Sequence, residues 1–387
     1  PADTIVQAAI SDEHVFEVTA NSVNLSGFTL KGAAGDGKAG IYLNGTRFCT
    51  ISNDNSADNF YGIYFSNSTA NNVTWNSFSN NTPWDIYIKN SEGNSFIGNT
   101  LSNSSPTVNF TYSGDIALKG ASAPAADPSG YNNISKFVNV TNSTANSWLL
   151  LNLSYTELDL GSVNESTLKL YRYNGTGWEL VPEPNGVNLP EKYVYANITT
   201  FSVFAPLGEP LPPVRNLRTG EIFQKIQDAI NDAETIEGDI LEVAPGTYTE
   251  NVDVTKSLTI RSLFGNPNTT IIQAATANDH VFDIQKNNVT IAGFTIKGAS
   301  GTNKAGINQT ISSLINTTIT NNIVRNNSYG IYLYRSTGSK VRDNYISNNL
   351  NNGIRLYSSS NNNISNNHIF EQRDNNNQYG IYVYYNS

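Results

Sequence analysis

The stretch Gly330-Ile331-Tyr332-Leu333-Tyr334 returns as Gly353-Ile354-Arg355-Leu356-Tyr357 and as Gly380-Ile381-Tyr382-Val383-Tyr384, at steps of 23 and 27 residues. An earlier set, Gly40-Ile41-Tyr42-Leu43, Gly62-Ile63-Tyr64-Phe65 and Asp85-Ile86-Tyr87-Ile88, keeps steps of 22 and 23. Fixed recurrence at this length is the mark of a solenoid.

Two further motifs keep the same step. Asn-x-apolar-x-Asn occurs at Asn76 to Asn80, Asn99 to Asn103, Asn322 to Asn326 and Asn344 to Asn348. A third apolar point falls at Val73, Phe96, Ile319, Val341 and Ile364. Three short strands per coil, alternating inward apolar and outward polar residues and separated by Asn, Ser and Gly turns, describe a right-handed parallel β-helix. Ile331 and Leu333 should point inward, and Tyr332 and Tyr334 outward. The few side chains that one coil can bury do not offset the entropy of ordering it, so coils must stack. Asparagines placed one above another should form amide ladders.

The pattern predicts an all-β chain: two right-handed parallel β-helices separated by an immunoglobulin-like β-sandwich, with one short capping helix before the second. Residues 1–120 read as the first β-helix, without its N-terminal lid, ending in a last coil strand at Asp115-Ile116-Ala117-Leu118. Residues 121–130 read as a linker. Over 131–207 the period gives way to short alternating strands, with a hairpin turn at Asn174-Gly175-Thr176-Gly177. Residues 208–220, with Pro210, Pro212 and Pro213, read as a stiff linker. Over 221–387 a helix precedes the second β-helix: Ile222, Phe223, Ile226, Ala229, Ile230 and Ala233 share one face, with Thr219 as N-cap. Pro1 to Ile41 aligns with Pro267 to Ile307 at a constant offset of 266, matching at 22 of 41 positions, His14 with His280 among them. The spacing therefore implies a tandem unit of lid, β-helix and sandwich. A chain without Met is expected to be a processed form or an excerpt, and its coil ends are expected to present strand edges for head-to-tail stacking.

Composition narrows the function. A net charge of -9 argues against nucleic acid or an acidic membrane as partner. No apolar run reaches transmembrane length. The one cysteine, Cys49, cannot form an intramolecular disulfide and reads as a small core residue. Twenty Asn-x-Ser/Thr sequons, including Asn24, Asn67, Asn72, Asn109, Asn139, Asn174, Asn197, Asn288 and Asn326, fit an exported, glycosylated surface protein.

Glu221 to Ile260, with Ala244-Pro245-Gly246-Thr247-Tyr248 and Lys256-Ser257-Leu258-Thr259-Ile260, resembles the opening of pectin-lyase-like parallel β-helix proteins of the periplasmic copper-binding, nitrous-oxide-reductase-maturation type. With the tandem unit and the dense sequons, the whole is similar to cell-surface, S-layer or sheath proteins of methanogenic archaea. The resemblance implies a fold that hosts lyases, hydrolases, adhesins and structural proteins.

Copper is not expected: no Met, one Cys and only His14, His280 and His368 give no soft or imidazole cluster. No metal, cofactor or catalytic residue is assigned. The best candidates for polysaccharide chemistry, Arg325, Arg342, Asp343, Arg355, Glu371, Arg373 and Asp374, do not keep the coil spacing and have no counterpart in the first β-helix. The candidate contact surface is an outward aromatic ladder of Tyr42, Tyr64, Tyr87, Tyr332, Tyr334, Tyr357, Tyr382 and Tyr384. It would pack subunits laterally, stack on sugars, or pack only on itself. The expected function is a self-associating structural subunit of an extracellular filament, sheath or S-layer. A carbohydrate-binding adhesin is the alternative, and a polysaccharide lyase or hydrolase comes third.

Overall fold

A computed structural model describes residues 4–309, 313–372 and 379–385, and divides the chain into two compact units, 1–210 and 211–387. Nearly all regular structure is β-strand, and the two short α-helices span Glu157–Leu160 and Ile226–Asn231. The boundary falls after Pro210, while Val214–Asn216, inside the segment expected as a stiff linker, is a strand of the second unit paired with Ile222–Phe223 and Ile240–Val243.

In the first unit, parallel coils carry three strand columns. One runs through Asn24–Ser26, Thr50–Ser52 and Asn72–Thr74. The second runs through Ile5–Gln7, Thr29–Lys31, Asn55–Ala57 and Ser77–Ser79. The third contains the Gly-Ile-Tyr phrases, with Ile41, Ile63 and Ile86 in register. Their inward side chains make one core: Ile41, Leu43, Ile63, Phe65, Ile86, Ile88, Val73 and Phe96 are all buried.

The segment after residue 100 departs from the sequence-based expectation. Ile116–Gly120 is not a coil strand. It runs antiparallel to Trp84–Lys89. Thr107–Ser113 likewise runs antiparallel to Ser95–Thr100, where two coil columns merge. Both sheets then continue through Val138–Asn142 and Val203–Gly208 on one side and Trp148–Ser154 and Tyr193–Ile198 on the other. The hairpin at residues 174–177 forms as expected, pairing Tyr173 with Trp178. Residues 121–130 therefore do not separate a pair of domains, because both sheets and one apolar cluster run from Val18 to Phe204. The C-terminal side of the last coil is consequently not an open strand edge.

In the second unit three parallel columns of coil strands stack in register, with Ile331, Ile354 and Ile381 aligned. The predicted helix is shorter than its apolar pattern. Ile222–Phe223 pairs as a strand with Val214–Asn216, so the helix begins at Ile226 with Lys225, not Thr219, at the N-cap position. The buried Glu250 carboxylate accepts the Ile226 and Gln227 N–H groups, both at 3.0 Å, doing the work of a cap side chain from a neighbouring strand end. Ile226, Ala229 and Ile230 are buried over the first coil.

Asparagine has two separate jobs in these coils. The first Asn of each Asn-x-apolar-x-Asn motif is buried and forms a ladder. Asn76 Oδ1 accepts the Asp54 N–H at 2.9 Å, while its Nδ2 donates to the Ile51 carbonyl at 3.0 Å and to Asn99 Oδ1 at 3.1 Å. Asn322, Asn344 and Asn367 repeat the arrangement, with Nδ2 to Oδ1 distances of 3.1 and 2.9 Å. The last Asn turns the corner in the left-handed region, with φ of 53° at Asn80, 60° at Asn103, 58° at Asn326 and 55° at Asn348, a conformation that Asn tolerates better than most side chains.

Candidate functional surface

The outward side chains of the Gly-Ile-Tyr strands form two aromatic columns per unit at most, fixed by the strand register. In the first unit Tyr42 stacks on Tyr64 at 4.8 Å between centroids, and Tyr64 lies 5.1 Å from Tyr87. His14 extends the column, stacked on Tyr42 at 4.4 Å. Tyr61, on the residue before Gly62, lies parallel to Tyr87 at 4.5 Å. Burial, followed by the neighbouring Tyr87, Tyr64 and Asp36, pushes the Tyr61 hydroxyl up to about 12.

In the second unit Tyr334, Tyr357 and Tyr384 form one column at 5.4 and 5.5 Å. Tyr332, Arg355 and Tyr382 form the next. The Arg355 guanidinium carbon lies 5.1 Å from the Tyr332 and Tyr329 rings and 5.9 Å from Tyr382. Its Nη1 donates to the Tyr329 hydroxyl at 2.7 Å. Burial raises the Tyr332 hydroxyl, and the Arg355 charge opposes it.

All eight predicted tyrosines therefore stand in columns, but seven are only half-exposed, and Tyr384 alone among them is exposed. Much of each ring is spent on its neighbours, as internal cross-coil packing requires. Tyr61 and Tyr379 belong to the same surface, and the buried Tyr329 packs against Tyr332 and Arg355; none of the three stands out in the sequence by the five-residue phrase alone. Their signal is the Tyr directly preceding Gly62, Gly330 and Gly380. Trp75 lies outside the periodic phrases as well: it turns a corner at φ 58°, is 63% exposed, and lays its ring over Gly98, where an added Cβ would fall 2.4 Å from the ring.

The charged set does not converge. Arg325, Arg342 and Arg355 belong to three different sheets of the second unit. Arg342 pairs with its neighbour Asp343 at 3.0 Å, both exposed. Glu371 is exposed at a corner after His368–Phe370, while Arg373 and Asp374 lie outside the described residues. Of the predicted sequon asparagines, Asn24, Asn67, Asn72, Asn174, Asn197, Asn288 and Asn326 are exposed, and Asn109 and Asn139 are half-buried.

The histidines occupy structural places. His14 Nδ1 accepts the Ala39 N–H and His280 Nδ1 accepts the Ala305 N–H, each at 3.0 Å. Burial, the largest cause at both, lowers their pKa from the ordinary 6.5. His368 stacks on Tyr345, and Cys49 is buried with its thiol donating to Ala20 O. Among the described residues no three His, Cys, Asp or Glu side chains gather as a metal shell. No helix there is long and apolar enough to cross a membrane.

Of curated proteins, a cell surface glycoprotein of Methanothermus fervidus is 42% identical over 113 residues, which is 29% of this chain and 17% of that protein. Among solved structures, the catalytic domain of a GH87 alpha-1,3-glucanase bound to tetrasaccharides is similar over 70% of this chain and 55% of its own, at 13% identity and a TM-score of 0.31. An alginate lyase from Paenibacillus sp. str. FPU-7 is similar over 98% of this chain and all of its own, at 9% identity and a TM-score of 0.21. Likenesses that loose carry no chemistry across.

The family described as periplasmic copper-binding protein (NosD) matches residues 4–146 and 233–387. Copper, which that description implies, does not fit the donors present: the imidazole Nδ1 atoms of His14 and His280 are engaged with backbone N–H groups, the only thiol is buried, and there is no methionine. By the match over both coil stacks, the chain belongs to the NosD family.

Proposed function

We propose that this chain is an extracellular cell-surface protein whose role is structural: a self-associating subunit of a filament, sheath or S-layer. The observation that carries this reading is the continuity of its side-chain ladders. Amides, hydroxyls and rings repeat in register from coil to coil, so each coil is tied to the next by buried side-chain bonds as well as by the sheets. Such a stack resists local opening, which suits a load-bearing wall. The exposed sequons at coil corners and the similarity to a cell surface glycoprotein support the location.

Lateral contact is assigned to the half-exposed tyrosine columns. Replacing Tyr334, Tyr357 and Tyr384 together by Ser is expected to weaken assembly of the purified chain, read by sedimentation and electron microscopy. Unchanged assembly would remove the columns from the contact. The adhesin reading has one observation in its favour, the outward face of Trp75. Glycan binding by the monomer that Trp75→Ala abolishes would put adhesion first.

A further inference from the structure

Asp54 takes a place in the buried ladder that an amide takes elsewhere. The 266-residue repeat equates Leu25 with Ile291 and Phe28 with Phe294, and the corner over Phe294 is closed by Asn322. Asn322 Oδ1 accepts the Phe294 N–H at 3.0 Å, and its Nδ2 donates to the Ile291 carbonyl at 3.0 Å and to Asn344 Oδ1 at 3.1 Å. In the first unit Asp54 Oδ1 accepts the Phe28 N–H at 2.8 Å, and the Asp54 N–H donates to Asn76 Oδ1 at 2.9 Å. The backbone bonds are thus the same in both units.

The difference lies at the second atom. Asp54 is 1% exposed, and its Oδ2 is buried without a hydrogen-bond partner among the described residues. By equivalence with Asn322, Oδ2 stands where an N–H group faces two acceptors, here the Leu25 carbonyl and Asn76 Oδ1. An ionised carboxylate can only accept, so Oδ2 would face those two oxygens with no hydrogen to offer either of them. A carboxylic acid O–H restores the missing donor.

We infer that Asp54 is carried as the neutral carboxylic acid, a donor standing in for the ladder amide, and that its ionisation loosens the first unit at this coil as pH rises. Burial pushes the carboxyl upward, against the opposing pull of the Phe28 and Gly27 N–H groups. The titratable side chains on the flanking strands and corners are Lys31, Cys49 and Asp58, and none makes an ion pair or hydrogen bond with Asp54 among the described residues. Because the folded value is raised, the stability it supports is complete below the ordinary 3.8 and is lost as pH rises through the folded value.

The test uses the full chain, its Asp54→Asn variant and the reciprocal Asn322→Asp variant. At about pH 7, Asp54→Asn is expected to raise the melting temperature by about 2–4 °C, and the gap should close toward about pH 4. Hydrogen exchange should place the gain around residues 24–57. Asn322→Asp should melt lower at neutral pH and recover on acidification. Isotope-edited infrared spectra of the unaltered chain should show one protonated carboxylic acid at neutral pH, absent from Asp54→Asn. A gap that does not change with pH, a lower melting temperature for Asp54→Asn at neutral pH, or a spectrum with no protonated acid would each overturn the inference.

Discussion

The two coil stacks share one segment and are covered at opposite ends by unlike elements. Residues 4–41 and 270–307 fold alike in detail: His14 and His280 hold the Ala39 and Ala305 N–H groups at one distance, and Phe28 and Phe294 are each held by the corner residue of the following coil. The covers differ in kind: antiparallel strands at the C-terminal end of the first stack and a helix at the N-terminal end of the second. In the first unit the last coil is closed by antiparallel strands. Tyr112 hydroxyl receives Asn94 Nδ2 at 2.9 Å, ending that amide ladder, and the buried Asp85 carboxylate accepts the Ser102 N–H and hydroxyl, both at 2.8 Å, and the Gly120 N–H at 3.2 Å. In the second unit the first coil lies under the Ile226–Asn231 helix, held by Glu250. Periodic residues specify the coil, and the places where the period fails specify what covers it.

The sharpest way to break this comparison is at the glycines of the repeated phrase. A Cβ at Gly62 would meet Asp85 O and Phe78 at 2.5 Å, and one at Gly330 would meet Gly353 O at 2.4 Å, so backbone of the next coil stands in the way. Asp85 occupies the same phrase position in the last coil of the first unit, where an antiparallel strand follows instead. Gly62→Ala and Gly330→Ala are expected to destabilise by about 2–3 kcal/mol in denaturant unfolding. Gly380→Ala, whose added carbon would come no closer than 3.6 Å to Ile369, should cost under about 0.5 kcal/mol. Equal losses at Gly330 and Gly380 would contradict the steric reading.

The ladders come next. Asn344→Ala removes the acceptor for the Asn322 N–H and Nδ2 and the donor to the Ile319 and Arg342 carbonyls, and should cost about 1–3 kcal/mol. Asp85→Ala should cost a similar amount, but through the cap, so hydrogen exchange should rise at Ser102 and Gly120 and leave Asn53 unchanged. A smaller effect, about 0.5–1.5 kcal/mol, is expected for Arg355→Gln, which removes the guanidinium between the tyrosines.

The mildest probe is pH. Both histidine pKa values are lowered by burial, so the stability that depends on their neutral form is complete above 6.5 and is lost as pH falls below it. Protection factors of the Ala39 and Ala305 amides should therefore drop together as pH falls below 6.5 through the lowered folded values. A drop at one amide alone would mean that the two sites are not physically equivalent.

Much of the coil was legible because every coil repeats the same demand. Inward Ile331 and Leu333, outward Tyr332 and Tyr334, and the columns they form follow from a period of two inside a period of about 23. The join after residue 100 was not legible, because Ile116–Gly120 alternates like a coil strand and sequence gives no strand direction. Nor was the helix start, since Ile222 and Phe223 fit a helical face as well as an edge pair. The two roles of Asn were hidden for a related reason: ladder and corner residues share one letter, and only their φ angles and burial tell them apart. Of the tyrosine columns, the register of the eight residues could be read, while their mutual covering depended on side-chain packing.

The most direct test of a structural role at the cell surface is immunogold electron microscopy of intact native cells, with antibody raised against the exposed hairpin around Asn174. Label on the outer face at a regular repeat is the expected result. Label confined to the interior, or scattered on the surface without spacing, would contradict a wall-forming subunit.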